Sequence, residues 1–191
     1  EIYEHINFSG SFCSIGSIPG MFERTITVNG VAKAFAMTGW RIGYIGAPEF
    51  IVKACTKLQG QVTSGANSIA QRATIAALEA NPTEINYMVE AFHKRRDLVL
   101  NLVNEIEGFK VNIPEGAFYV FPDVSYYFGK TLKGVLINNA DDLALYLLEY
   151  ANVATVTGDA FGNSNCIRLS YATSEDVLID AFTRIKEALK L

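Results

Sequence analysis

Two basic residues stand alone in an otherwise uncharged stretch of the sequence. Between residues 28 and 47 the only charged side chains are those of Lys33 and Arg41. A lysine in apolar surroundings loses hydration, which favours the neutral, nucleophilic amine that a Schiff base requires. An arginine stays charged and can bind a phosphate group through its planar guanidinium. By spacing alone, the simpler interpretation is a lysine that reaches solvent and an arginine paired with a surface carboxylate.

A third basic residue lies in a predicted strand near the end of the chain. Apolar Ile167, Leu169 and Tyr171 alternate there with Arg168 and Ser170, so the two sets should point to opposite faces of the strand. An arginine that projects from a strand into a cleft can hold a carboxylate with two hydrogen bonds. Taken alone, Arg168 in a surface salt bridge is the plainer interpretation.

The hydrophobic pattern predicts the elements that position these residues. Short apolar runs predict strands, at residues 1–5, 22–28, 40–47, 109–113, 117–124, 153–156 and 166–171. Helical periodicity and capping residues predict helices, at 49–59, from about 68 to 80, from 82 to before Gly108, at 141–150, and from Ser174 onward. This order predicts an α/β segment over residues 1–80, followed by a long connecting helix and an α+β domain over 81–191.

Composition excludes several classes of protein. Half of the 191 residues are hydrophobic and 19% are charged, which predicts a large core and excludes a disordered chain. The low charge also suggests that some apolar surface meets a partner. A net charge of −4 without a basic stripe argues against nucleic-acid binding. No apolar run reaches the roughly 18 residues of a membrane span, so we expect no membrane association.

The three cysteines indicate a compartment. Cys13, Cys55 and Cys166 are odd in number, far apart and in no paired motif, which argues against a disulfide framework or a zinc site. With no signal peptide at its start, the chain is expected in the reducing cytoplasm. It opens on Glu1 rather than on Met, which we interpret as an interior cut of a longer protein.

The segment GVAKAFAMTGWRIG, residues 30–43, resembles the cofactor-lysine signature of the class I/II aminotransferases, which depend on pyridoxal phosphate. Further segments match the family in the same order, namely EIYE at 1–4, PEGAFYVFPD at 114–123, TGDAFG at 157–162 and CIRLSYATS at 166–174. They are distributed over nearly all of the chain, and the aspartate aminotransferase-like subgroup is the most similar. The chain thus resembles the C-terminal half of a fold-type I enzyme, with the end of the large cofactor-binding domain followed by the small domain.

The resemblance implies a role for each matching residue. Lys33 would hold pyridoxal phosphate as a Schiff base and then carry the proton between the substrate and the cofactor. Arg41 would bind the cofactor phosphate, and Tyr3 would donate a hydrogen bond to the ring oxygen. The loop that contains Ser64 resembles a region reaching the phosphate in the neighbouring subunit. Arg168 would bind the carboxylate of the substrate.

The resemblance also implies a reaction and its partners. The full-length enzyme would be a homodimer with the active site at the subunit interface. It would transfer an amino group between an amino acid and a 2-oxo acid by a ping-pong mechanism. An aspartate-like amino acid is a candidate substrate. The family residues that hold the pyridine nitrogen would precede Glu1, so we expect the isolated chain to be inactive. A lyase with the same cofactor, or a non-catalytic ligand-sensing domain, remains an alternative.

The sequence departs from many relatives just before the lysine. Ala32 stands where many have serine, and Gly30 where others have a phosphate-binding serine. We therefore expect fewer hydroxyl contacts to the phosphate from this segment than in those relatives.

Overall fold

The computed structural model describes residues 1–190, apart from the side chain of residue 82. Within these described residues there are five α-helices, namely α1 (Glu49–Val62), α2 (Ser68–Glu79), α3 (Asn86–Asn104), α4 (Ala140–Ala151) and α5 (Glu175–Ala188). Short 3-10 turns occupy Ile15–Ser17, Phe22–Arg24, Thr38–Trp40, Pro82–Ile85, Ser125–Tyr127 and Gly158–Phe161. The chain divides into two compact units, and the division falls within α3, after Val89.

The first unit holds a two-stranded antiparallel sheet and two helices. Strand β1 (Thr27–Asn29) pairs with β2 (Tyr44–Gly46), and Asn29 lies opposite Tyr44. Helix α1 follows Pro48, and α2 begins where the Asn67 side chain accepts a 2.9 Å hydrogen bond from the Ala70 amide. An oxygen acceptor at this position satisfies an amide that has no partner within the helix, so the loop before α2 ends at a defined residue.

The second unit contains the remaining strands. In one antiparallel sheet, β7 (Ile167–Ser170) lies between β3 (Tyr119–Val120) and β6 (Val156–Thr157). A hairpin pairs β4 (Lys130–Leu132) with β5 (Val135–Ile137). Helix α4 packs against α5, β5 and β6. The fully buried side chains of this unit include Leu143, Leu147, Ile167, Tyr171 and Ile185, so the alternation seen around Arg168 does place its apolar neighbours in the core.

Several predicted strands are shorter or absent. Residues 2–5 form a turn, in which the Glu4 amide donates to the Glu1 carbonyl at 3.0 Å. Phe22–Arg24 forms a 3-10 turn where a strand was expected, and β1 begins only at Thr27. In the stretch 109–113 only Lys110 pairs, through an isolated bridge to Asp123.

The helices agree more closely with the sequence. Helix α1 continues three residues beyond the predicted end at 59, to Val62. Ser174 precedes α5 with the extended backbone of a capping residue, and Glu175 and Asp176 lie in the first turn. Among residues 1–190, the helices are all too short or too polar to cross a membrane.

The elements together form a mixed α/β arrangement of helices and small sheets. The predicted assignment of residues 1–80 and 81–191 to two domains stays a prediction.

Candidate functional site

Lys33 lies in a short turn between β1 and the 3-10 turn Thr38–Trp40. The turn is closed by two backbone hydrogen bonds, from the Phe35 amide to the Val31 carbonyl at 3.2 Å and from the Ala36 amide to the Lys33 carbonyl at 3.3 Å. Val31 and Ala34 are buried, and Lys33 itself is half-buried. The backbone at Lys33 is therefore anchored on both sides by buried apolar residues, Val31 before it and Ala34 after it.

Gly30 is required by close backbone packing. A Cβ atom at this position would lie 2.9 Å from the Ile42 carbonyl oxygen and 3.3 Å from the Gly43 Cα. Such a contact is shorter than van der Waals distance, so a serine here would push β1 and the segment before β2 apart. The absence of a hydroxyl at position 30 thus follows from the approach of these two segments.

The side chain of Asn29 connects the segment that carries Lys33 to the N-terminal turn. Its side-chain amide donates to a Glu4 carboxylate oxygen at 2.7 Å, and its side-chain oxygen accepts from the Gly30 amide at 2.8 Å. Asn29 is 8% exposed, so these bonds satisfy a buried polar side chain. The turn that carries Tyr3, which also contains Glu4, is thereby connected to the segment that carries Lys33. Tyr3 is itself half-buried.

Arg41 adopts the left-handed backbone conformation, with φ 55° and ψ 48°. Its guanidinium donates to the Thr38 carbonyl at 2.8 Å, and the residue is exposed. This bond uses one of the five guanidinium donors and leaves the side chain positively charged. An ion pair with a surface carboxylate, the simpler interpretation above, is not formed by Arg41 with the described residues 1–89.

Arg41 and Ser64 line the same cavity. It has a volume of about 1380 Å³ and is bounded by the segment from Gly39 to Ile45, one face of α1, and the loop between α1 and α2. Ser64 has a positive φ of 63°, in the sharp turn that ends α1. Its hydroxyl and the Arg41 guanidinium are groups that commonly bind phosphate.

The cavity also contains polar residues that the sequence did not single out. Gln59, Thr63 and Asn67 belong to its lining, and so does Tyr44. Partial burial and the nearby Glu4 carboxylate raise the pKa of Tyr44 above its ordinary value. Thr63 and Asn67 lie in the polar segment between α1 and α2, whereas Gln59 lies in the last turn of α1. Nothing in the local pattern indicated Tyr44, which faces the cavity because β2 pairs with β1.

The structure thus brings together two of the candidate cofactor residues. Among the described residues of the first unit, the cavity lining includes Arg41 and Ser64 but neither Lys33 nor Tyr3. Ala36, whose amide is bonded to the Lys33 carbonyl, does belong to the lining. Lys33 is therefore one short turn from the cavity wall. A phosphate fits this chemistry, because the lining contains an arginine and hydroxyl side chains and no carboxylate.

Arg168 belongs to the second unit and is surrounded differently. It is half-buried on β7, and Ile167 and Leu169 beside it are buried. Its guanidinium carbon lies 4.5 Å from the centre of the Tyr119 ring and 4.2 Å from that of Phe161. Within residues 90–190 it forms no ion pair with an aspartate or glutamate. The surface salt bridge, the plainer interpretation of Arg168 taken alone, is therefore not formed within residues 90–190, and two aromatic rings contact the guanidinium instead.

Comparison with known proteins gives a consistent result over the whole chain. The family model described as aminotransferase class I and II matches residues 1–185. A bifunctional aspartate aminotransferase and glutamate/aspartate-prephenate aminotransferase of Petunia hybrida is 51% identical over 99% of this chain. An aspartate aminotransferase of Rhizobium meliloti is 47% identical over 98% of the chain.

Solved structures agree in fold. The crystal structure of the aspartate aminotransferase from Rhizobium meliloti superimposes with a TM-score of 0.92 at 46% identity, over 98% of this chain and 48% of that one. The Thermus thermophilus aspartate aminotransferase with maleate gives 0.87 at 42% identity, over 99% of this chain and 47% of that one. The chain spans 40% of the Petunia protein and 47% of the Rhizobium protein, and thus less than half the length of these curated relatives.

Proposed function

Since the chain belongs to the class I and II aminotransferase family, we propose that it forms part of a pyridoxal-phosphate-dependent aminotransferase. The full-length protein would transfer an amino group between an amino acid and a 2-oxo acid, with an aspartate-like amino acid as the candidate donor. The observation that carries this proposal is the cavity whose wall combines Arg41 and Ser64 in a chain matched by the family model from residue 1 to 185. Bound pyridoxal phosphate supplies an electron sink for reactions at the α-carbon of an amino acid.

We assign each candidate residue a task. The Lys33 Nζ would anchor the cofactor and accept a proton from the substrate α-carbon, which a half-buried amine near the cavity wall is suited to do. The Arg41 guanidinium and the Ser64 hydroxyl would bind the phosphate. The Tyr3 phenol would donate to the cofactor ring oxygen. Arg168, which forms no ion pair within the described residues 90–190, would bind the substrate α-carboxylate.

We place these residues in the architecture of the family. Residues 1–80 would complete the large cofactor domain, and 81–191 would supply the connecting helix and the small domain. The full-length protein would be a homodimer with active sites at its interface. The cysteines Cys13 and Cys55 are exposed as free thiols, which suits a reducing compartment such as the cytoplasm.

The decisive experiment is absorbance spectroscopy on the full-length protein with pyridoxal phosphate. A near-visible band of the bound cofactor should form, and an amino donor should bleach it. Lys33→Ala should lose the band. Lys53→Ala, which removes an exposed lysine paired with Glu49 at 2.7 Å on α1, should keep it.

Three results would contradict parts of this proposal. A band that persists in Lys33→Ala would show that another residue anchors the cofactor. A band that forms normally but that no amino donor bleaches would favour a ligand-sensing domain over an aminotransferase. Turnover that releases ammonia or carbon dioxide from the donor, without transfer of its amino group to a 2-oxo acid, would indicate a lyase.

A further inference from the structure

The guanidinium of Arg168 touches two aromatic rings, and these rings come from both neighbours of its strand. Tyr119 lies on β3 at one side of β7, and Phe161 ends the 3-10 turn that follows β6 at the other side. The distances from the guanidinium carbon to the ring centres are 4.5 Å and 4.2 Å. Both fall well within the roughly 6 Å range of a cation–π contact.

The strand register explains why Tyr119 reaches Arg168. Tyr119 pairs with Ser170, and Val120 pairs with Leu169. Paired residues share a face of the sheet, and Ser170 and Arg168 share a face because they are two positions apart. Tyr119 is therefore the diagonal neighbour of Arg168 on one face, a separation that aromatic and long side chains can bridge.

Phe161 is held in place by the turn that carries it. Its ring makes an edge-on contact with Phe121, with ring centres 6.1 Å apart. The turn begins at Gly158, whose amide donates to the Cys166 carbonyl at 2.7 Å, next to the start of β7. A Cβ on Gly158 would lie 2.2 Å from the Asn163 carbonyl oxygen, so this turn is closely packed against neighbouring backbone. Phe161 is nevertheless 47% exposed.

We propose that Tyr119 and Phe161 are positioning residues, which hold the Arg168 guanidinium in one orientation and leave its N–H donors for the substrate carboxylate. The rings exclude water from the guanidinium. Unlike a neighbouring carboxylate, they do not accept its hydrogen bonds. This inference rests on the proposed function, in which Arg168 binds that carboxylate. Because an amino acid and a 2-oxo acid both carry a carboxylate, the rings should affect both substrates alike.

The test measures steady-state kinetics of the full-length holoenzyme. Tyr119→Leu and Phe161→Leu should each raise KM for the amino donor and for the 2-oxo acid by a similar factor, between about twofold and tenfold, the range expected from one cation–π contact. The kcat and the absorbance of the bound cofactor should stay close to the wild type. Tyr119→Phe and Phe161→Tyr keep a ring and should restore KM.

A matched control and a reference variant separate the possible outcomes. Tyr126→Leu removes a different cation–π ring, which lies 3.0 Å from the Lys130 Nζ, and should leave both KM values unchanged. Arg168→Lys keeps the charge but loses the planar fork, and should raise both KM values. If Arg168→Lys raises both values while the leucine variants do not, the positioning role is wrong. If Arg168→Lys changes neither value, the assignment of Arg168 in the proposed function is wrong.

Discussion

At the scale of single residues, Arg41 is a cavity residue with an uncommon backbone conformation. Its left-handed φ of 55° is uncommon outside glycine, and its guanidinium is bonded to the Thr38 carbonyl. We predict that Arg41→Ala in the full-length protein weakens pyridoxal phosphate binding by about 10- to 100-fold, because hydrogen bonds to a charged group are lost. Binding of pyridoxal, which lacks the phosphate, should change far less. Equilibrium titration followed by absorbance measures both affinities.

The control for this prediction is another exposed arginine of the first unit. Arg24 lies in the 3-10 turn Phe22–Arg24, outside the cavity lining. Arg24→Ala should leave the affinity for pyridoxal phosphate unchanged. An equal loss of affinity for pyridoxal and for its phosphate in Arg41→Ala would argue that Arg41 supports the fold rather than the phosphate.

Two tyrosines of the second unit should make the fold sensitive to alkaline pH. Burial raises the pKa of Tyr127 and of Tyr171 to about 12, from 10.0. Between these values the unfolded chain has lost protons that the folded chain retains, so the free energy of unfolding falls as pH rises from about 10 to 12. Below pH 10 this contribution is fully present. Urea unfolding at a series of pH values should show the decline.

The variant Tyr127→Phe tests the origin of that decline. The phenol donates a 2.5 Å hydrogen bond to the Glu107 carbonyl, so its removal should cost about 1 kcal/mol at pH 8. The variant should then lose less stability than the wild type between pH 10 and 12. Parallel curves for the two proteins would mean that Tyr127 does not contribute to the alkaline transition.

At the scale of elements, two glycines should respond in opposite directions to the same substitution. A Cβ on Gly158 would lie within 2.5 Å of the carbonyl oxygens of Asn163 and Cys166, whereas at Gly60, inside α1, it would meet nothing within 4 Å. We predict that Gly158→Ala destabilises the second unit by about 1–3 kcal/mol, since backbone atoms must shift. Gly60→Ala should stabilise α1 by up to about 1 kcal/mol.

Denaturant midpoints monitored by circular dichroism and by hydrogen exchange measure both changes. Hydrogen exchange assigns the effect to α1 or to the segment after β6. Because the segment after β6 carries Phe161, Gly158→Ala should also raise KM in the full-length protein. Unchanged exchange around residues 158–166 would show that this turn tolerates a side chain.

At the scale of the whole molecule, the low charge of the sequence corresponds to an exposed apolar surface on α1 and α2. Phe50, Leu58, Val62 and Ile69 are each about 70% exposed. A cluster of this kind binds amphiphilic dyes without unfolding. We predict that the chain enhances the fluorescence of a hydrophobic dye at neutral pH, and that Phe50→Ser with Leu58→Ser reduces it. Equal fluorescence in the double variant would place the dye elsewhere.

The sequence determined the local parts of this protein well. The periodicity and caps of α1, α4 and α5 are properties of consecutive residues, so their bounds agree within a few positions. The alternation around Arg168 likewise predicted which neighbours are buried. The motif around Lys33 indicated the family, and the match over residues 1–185 confirmed it. In each case the signal lies within one helix, one strand or one short segment.

Only the tertiary structure decided what lies around those residues. The two-residue turn at Lys133 and Gly134 forms the β4–β5 hairpin, which the sequence did not reveal because the strands have three residues each. Tyr44 faces the cavity because β2 pairs with β1. Arg168 meets Tyr119 and Phe161 rather than a carboxylate because β3 and β6 flank β7. Pairing between distant segments depends on register and packing, and no local pattern of residues encodes these.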